Sequence, residues 1–377
     1  MECKIEKRDF LRGLTMLQTV VERRTTMPIL SNALLHAENQ TLTLTATDLE
    51  TAIQARLPAS VTTDGQASLS ARKLFEIVRE LPESPITLLT KENDWVTLTC
   101  QKSVFNIAGM NPDEFPPLPD FREEDFHPFP TRDLREMIEA TVFAASTEES
   151  RYNLNGVFLK GFRLESGPII RMVATDGHRL SLIDKPGLEF PNLETGVIIP
   201  RKGLLEIRRL MGDGTRKDDG QDGVMYLALS QNNLVAKRDE ALVFTRLIEG
   251  QFPDYESVIP KDNDKRINLP TEAFTACLKR VSTMASEKGE GLVFEIGKAM
   301  ISVSSFSQDF GDAKEEIDIE YDGDELAVGF NGRYLLDALG VMGTEEVLFE
   351  LRDNSTAGVL RPVGREGLLC LVMPMKL

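Results

Sequence analysis

Apolar side chains recur at Phe10, Leu14, Leu17 and Val21, at steps of four, three and four, which is the period of one helical face. The spacing predicts a helix over residues 9–24. Residues 131–147 and 271–286 repeat the pattern, with Thr131 and Thr271 as candidate N-caps and an acid close behind each. Leu42-Thr43-Leu44-Thr45 and Trp95-Val96-Thr97-Leu98-Thr99 instead alternate apolar with polar, the mark of a half-buried antiparallel strand.

Three more helices are predicted at 71–81, 201–211 and 331–342, and they expose an internal repeat. Ala71-Arg72-Lys73-Leu74-Phe75-Glu76-Ile77 returns as Pro200-Arg201-Lys202-Gly203-Leu204-Leu205-Glu206 and, more faintly, as Asn331-Gly332-Arg333-Tyr334-Leu335-Leu336-Asp337. Leu44-Thr45-Ala46-Thr47-Asp48 likewise returns as Met172-Val173-Ala174-Thr175-Asp176 and as the weaker Ile301-Ser302-Val303-Ser304-Ser305. A period near 130 residues means three copies of one plan. Each copy reads as two helices on one face of antiparallel sheet, so the fold class is α+β. Six of the 19 prolines fall between Asn111 and Pro130, and Phe252-Pro253-Asp254 echoes Phe115-Pro116. Proline stiffens a connection and interrupts helix and sheet, so these are junctions. The domains expected are 1–121, 128–252 and 253–377.

The composition is that of a folded chain, 41% hydrophobic and 27% charged, and 377 residues suffice for two or three domains. The formal net charge of −17 argues against a surface that is basic all round. Its distribution is uneven. The six predicted helices hold fifteen Lys or Arg against ten Asp or Glu, while the rest of the chain carries a charge of −22. On helix 201–211, Arg201, Lys202, Arg208 and Arg209 share one arc, with Leu204, Ile207, Leu210 and Met211 opposite and only Leu205 out of place. Helices that present this face together form a positive track for a phosphate backbone, and no base-reading cluster accompanies it. DNA contact without sequence preference is the natural reading.

Other chemistries lack their residues. Cys3, Cys100, Cys277 and Cys370 are far apart, so neither a zinc cluster nor a disulfide framework is expected, and the compartment reads as reducing. Gly212-Asp213-Gly214-Thr215-Arg216-Lys217 fails the P-loop pattern, and His36, His127 and His178 are isolated, so no cofactor or metal is expected. With no apolar run long enough to span a bilayer, the chain reads as cytoplasmic. The enzyme alternative is a hydrolase using Asp176 and His178. Asp176-Gly177, however, is first a hairpin-turn signal, and no nucleophile elbow accompanies it.

Several segments together carry a resemblance. They are Met27-Pro28-Ile29-Leu30, Thr45-Ala46-Thr47-Asp48-Leu49-Glu50, Asn153-Leu154-Asn155-Gly156, Ala174-Thr175-Asp176-Gly177-His178-Arg179-Leu180, Pro200-Arg201-Lys202, Phe252-Pro253-Asp254-Tyr255 and Val372-Met373-Pro374-Met375-Lys376-Leu377. From end to end the chain resembles the bacterial sliding clamps, the beta subunit of the replicative DNA polymerase III holoenzyme. The resemblance implies a non-catalytic processivity factor: a DNA clamp ring of two chains head to tail, with helices lining the hole. It implies as partners a second copy of the chain and double-stranded DNA. It also implies the polymerase catalytic subunit, the clamp loader, other polymerases and repair proteins, all bound through short linear motifs.

It implies sites as well. Arg24 and Tyr152 are assigned to DNA by the resemblance, beside Arg72, Lys73, Arg201, Lys202, Arg208 and Arg209 on the basic helices. The family's groove for motifs offering a Gln and Leu or Phe maps to Leu154, Thr175, Gly177, His178, Arg179, Leu180, Pro253 and Val258. It is completed by Val372, Met373, Pro374, Met375, Lys376 and Leu377. Phe105 and Ile107 are expected to face Met284 of the other chain. Three positions depart from the family's habit: Tyr152-Asn153 replaces a Tyr pair, Ser257 stands where Arg is frequent, and Lys376 stands where Arg is common.

Overall fold

The structure, a computed structural model, describes residues 1–21, 26–212, 223–230, 232–285 and 291–376. Among these are six α-helices: α1 Lys7–Leu17, α2 Ala71–Glu80, α3 Thr131–Thr141, α4 Arg201–Leu210, α5 Thr271–Ser282 and α6 Gly332–Met342. Phe10, Leu14 and Leu17 are fully buried, as their spacing requires. Burying a side chain of this size stabilises the fold by roughly 1.5–3 kcal/mol.

The first helix of each copy is shorter than its apolar period predicts. α1 stops at Leu17 because the next turn closes differently: the Val20 N–H donates to the Leu17 carbonyl at 3.1 Å and the Thr19 hydroxyl to Met16 at 3.1 Å. Val20 is buried there while Val21, the residue of the apolar period, is half-buried, so the helical spacing does not continue past Leu17. α5 ends at Ser282 in a similar tightening, with Met284 N–H donating to Val281 at 3.2 Å, and α3 passes into a 3₁₀ turn, Val142–Ala144. Thr131 and Thr271 are not caps but first helical residues. Their backbone N–H groups donate to the carbonyls of Gly223 (2.9 Å) and Glu345 (2.8 Å), just as Arg201 donates to Asn155 (3.0 Å). A neighbouring segment therefore satisfies an end that a side chain was expected to cap. Ser70 and Asn331 are true side-chain caps, accepting from Lys73 N–H and from the N–H groups of Arg333 and Tyr334.

The chain divides into two compact units, Met1–Arg132 with Lys202–Leu247, and Asp133–Arg201 with Ile248–Leu377. This grouping follows hydrogen-bonded sheets rather than sequence repeats. In the first unit an eight-stranded antiparallel sheet runs across copies, because strand Thr51–Pro58 pairs with strand Ala241–Arg246, Thr51 opposite Thr245. In the second unit strand Arg179–Pro186 pairs with strand Leu368–Val372, Arg179 opposite Val372. Each unit also holds a smaller sheet, of five strands in the first and four in the second.

The two cross-copy pairings are built alike. A hairpin precedes each: Thr47 and Thr175 begin turns in which Asp48 and Asp176 accept two backbone N–H groups apiece. Leu49 (φ +78°) stands where Gly177 (φ +87°) does, so a bulky residue holds a left-handed position that glycine adopts freely. Glu50 O accepts Arg246 N–H and His178 O accepts Met373 N–H, both at 2.8 Å. Three residues past Ile107, Thr245 and Val372, the N–H groups of Met110, Ile248 and Met375 bond to the carbonyls of Ser68, Ile198 and Gly329. The third hairpin, between strands Met300–Ser307 and Gly311–Asp318, has its register fixed by a serine. Ser305 Oγ donates to Val281 O in α5 as Ser181 Oγ donates to Ala140 O in α3. Ser305 lies opposite Ala313, and Ala174 opposite Ser181, so Ser305 matches Ala174. The sequence match of Ser305 with Asp176 is thus two residues out of register. Strands Ser103–Ile107 and Gly311–Asp318 each end their sheet.

Candidate binding groove and cationic helices

In the second unit, the hairpin around Asp176–Arg179 meets the segment after Val372. Leu180 is buried in a cluster with Val173, Leu182, Phe252, Tyr255 and Leu371, against which Leu154 packs, and Val372 is buried as well. They form the floor, and substitutions there test folding as much as binding. The rim is open: Gly177, His178, Pro253, Val258 and Lys376 are exposed, Met373 is 39% and Met375 37% exposed, and Thr175 and Pro374 are half-buried. Two methionines beside an exposed Val258 make an apolar, adaptable surface of the kind that accepts varied partners. Leu377 lies outside the described residues. Asn153 reaches across to Gln251 O at 3.2 Å, which holds the segment before Pro253 beside Leu154. Ser257 turns inward on its own segment, donating to Asp254 O at 2.8 Å.

Arg179 is placed differently from the other groove residues. Its guanidinium donates to Asp176 Oδ2 (3.0 Å), Phe143 O (2.7 Å) and Asp337 Oδ2 (2.5 Å) and lies 4.4 Å from the Tyr334 ring centroid. It ties the hairpin to α6 and leaves little charge for a ligand. The same bonds dispose of the hydrolase alternative. Asp176 spends one carboxylate oxygen on the N–H groups of His178 and Arg179 and the other on Arg179 Nε, while Arg151 donates to its backbone carbonyl at 2.5 Å. The Asp-Gly pair forms the turn that its sequence signals.

The cationic residues are largely engaged. On α2, Arg72 and Lys73 share Glu76 at 3.0 and 2.6 Å, and these bonds, Lys73's first, hold that carboxyl below its usual range. On α4, Lys202 is paired with Asp48 and Arg209 with Glu206, a carboxylate 3% exposed that also accepts the Thr19 hydroxyl at 2.7 Å. The helical wheel missed Glu206: it is buried, while Leu205 and Leu210 are half-exposed. Arg201 is half-buried and Tyr152 exposed; Arg208 is half-buried, and Arg24 lies outside the described residues. On the edge strand Ser103–Ile107, Ile107 is buried and Phe105 half-buried, and Met284, just past α5, is half-buried. No described helix is long and apolar enough to cross a membrane.

An adaptable groove and salt-bridged cations, with the one candidate acid consumed by a turn, describe a binding protein. Three family profiles match in order: DNA polymerase III beta subunit, N-terminal domain, over residues 1–119, its central domain over 129–254 and its C-terminal domain over 256–376. The beta sliding clamps of Pseudomonas aeruginosa, Caulobacter vibrioides and Escherichia coli K12 are 32%, 34% and 30% identical, each over the whole of both chains. Crystal structures agree over full length: the C. crescentus clamp with PEG bound (TM-score 0.92, 33% identity) and the Bartonella birtlesii clamp bound to griselimycin (0.93, 30%). The chain belongs to the DNA polymerase III beta subunit family. Its function is that of a DNA sliding clamp.

Proposed function

We propose that two copies of the chain, each of three domains (1–121, 128–252, 253–377), close head to tail into a ring around duplex DNA. The ring carries no catalytic residue and works in the cytoplasm. It turns the weak hold of its partners on DNA into a topological tether. Those partners, the polymerase catalytic subunit, the clamp loader, other polymerases and repair proteins, bind by short motifs in the groove of Leu154, Thr175, Gly177, His178, Pro253, Val258, Met373 and Met375. Arg24, Tyr152 and the cations of α2 and α4 contact phosphate, and the acidic remainder of the surface disfavours side-on association.

The observation that carries this reading is the repeated junction. Thr51 opposite Thr245 and Arg179 opposite Val372 are equivalent pairs, and Gly311 and Ile107 are their counterparts on the edge strands Gly311–Asp318 and Ser103–Ile107. Carrying the register over sets Gly311 opposite Ile107, Ala313 opposite Phe105 and Glu315 opposite Ser103 of a second copy. It also brings Phe105 and Ile107 beside Met284, whose terminal carbon lies 3.5 Å from where a Cβ on Gly311 would sit. Phe306 (71% exposed) and Phe310 (63%) flank that edge, and unpaired edges bordered by large apolar side chains call for a partner.

The internal counterpart of Phe105 and Ala313 is the pair Cys370 and Ser181, whose side chains approach to 3.3 Å. A double variant, Phe105→Cys with Ala313→Cys, is therefore expected to form covalent dimers on oxidation, while Phe105→Cys with Glu315→Cys is not, being one diagonal too far at about 7–8 Å. All four native cysteines are buried, and burial pushes the thiols of Cys3 and Cys277 up to about 11 and of Cys370 up to about 12, so they stay unreactive. Oxidised after loading on circular DNA, the in-register variant should survive denaturant on the circle and leave once the DNA is cut. Covalent dimers from the out-of-register pair alone would refute the arrangement.

The carboxylates beside the cations make a separate expectation. Glu206→Gln removes a buried charge from Arg209 while keeping an acceptor for Thr19. The slope of log K for DNA against log salt should steepen, by at most about 0.9 if Arg209 is thereby freed to neutralise one more phosphate. An unaltered slope would take Arg209 out of the DNA track.

A further inference from the structure

Arg171 lies on strand Gly167–Thr175, outside the groove residues. Its guanidinium makes a paired bond to Asp184, Nε to Oδ1 at 2.6 Å and Nη2 to Oδ2 at 2.7 Å, from directly across the hairpin. The remaining arm reaches the Tyr255 hydroxyl at 3.5 Å and Glu256 Oε1 at 3.2 Å, and the group lies 4.9 Å from the Phe162 ring centroid and 6.0 Å from that of Tyr255. Tyr255 is buried, its ring tilted against Phe158 and edge-on to Phe252, which stack on each other at 5.0 Å. Its backbone fixes both wall residues: Tyr255 N–H donates to Pro253 O at 2.8 Å, and Val258 N–H donates to Tyr255 O at 3.4 Å.

We infer that Arg171 is a positioning residue for partner-motif binding: it pins Tyr255, and Tyr255 sets where Pro253 and Val258 stand along the groove. The inference rests on the groove reading above and adds to it a residue that touches no ligand. A planar fork is needed, because one side chain must grip Asp184 with two parallel bonds, reach Tyr255 and Glu256 with a third donor and lie near two rings. Lysine supplies the charge without the fork.

The test measures two things on the full-length dimer: hydrogen exchange of the Val258 and Ile259 amides, and affinity for a fluorescent peptide carrying a Gln and a Leu-Phe pair. Arg171→Met is expected to speed exchange at both amides and to weaken the peptide about tenfold, about 1.4 kcal/mol. Arg171→Lys should recover part of each effect, and the dimer should be unaffected. Tyr255→Phe, which loses only the hydroxyl link, should move both readouts the same way by a smaller factor, and it carries the test should Arg171→Met fail to fold. Peptide affinity unchanged in the variants overturns the inference, as does weakened affinity with unaltered exchange. A wild-type protein that does not bind the peptide would instead overturn the groove reading, and that result is seen before any variant is made.

Discussion

Met284→Glu is expected to leave folded protomers at concentrations where the unaltered chain is a dimer. Met284 is half-buried at the end of α5, beside Gly311 on a free edge, so a carboxylate there meets water in the isolated chain and costs the fold little. In the proposed ring the same position faces Phe105 and Ile107, and a charge sealed among apolar side chains without a partner costs about 3 kcal/mol. A closed head-to-tail dimer has two such interfaces, and the substitution falls in both. The penalty per dimer is then about 6 kcal/mol, about four orders of magnitude in the dissociation constant. Sedimentation should report the protomer mass while circular dichroism and the unfolding midpoint stay near those of the parent. Met284→Leu, which keeps the apolar contact, should remain dimeric. A stable dimer of Met284→Glu would place the interface elsewhere.

What the sequence makes legible is whatever depends on neighbours within a turn or two. The period of Phe10, Leu14 and Leu17 finds α1, and Asp176-Gly177 finds the hairpin, because both signals are local. Helix ends are not local in this sense. Val21 fits the apolar period but lies past the last helical residue, where Val20 is the buried one, and Thr131 and Thr271 resemble caps while their N–H groups are satisfied by carbonyls far along the chain. Glu206 is hidden for the same reason. A carboxylate on a basic helix reads as solvent-facing until Thr19, 187 residues earlier, is seen to donate to it. Half of the groove belongs to this second class. Leu180 pairs with Leu371 in a register that no spacing announces, and only the likeness of whole motifs to a family brings Met373 to His178. Arg171 escaped even that likeness, since its work is done through Tyr255 and leaves no motif of its own.

Deleting Met373 to Leu377 is expected to abolish binding of a polymerase-tail peptide while leaving the dimer and its hold on circular DNA intact. The deletion removes Met373 and Met375, the exposed apolar wall, but spares strand Leu368–Val372, whose five residues stay paired with strand Arg179–Pro186. Among the described residues two backbone hydrogen bonds are lost, Met373 N–H to His178 O and Met375 N–H to Gly329 O, at about 1 kcal/mol each. The free edges at Ser103–Ile107 and Gly311–Asp318 are formed by other strands, so ring closure does not depend on the deleted residues. His178→Ala should weaken the peptide far less, because what His178 gives the groove is backbone: its carbonyl accepts Met373 and its N–H donates to Asp176. Fluorescence anisotropy with the labelled peptide, run beside sedimentation of the same samples, separates the outcomes. Undiminished peptide binding by the shortened chain would remove the tail from the groove. Loss of the dimer together with the peptide would mean that these residues brace the third domain instead, with Met375 acting through its bond to Gly329 rather than through the side chain it presents to a partner.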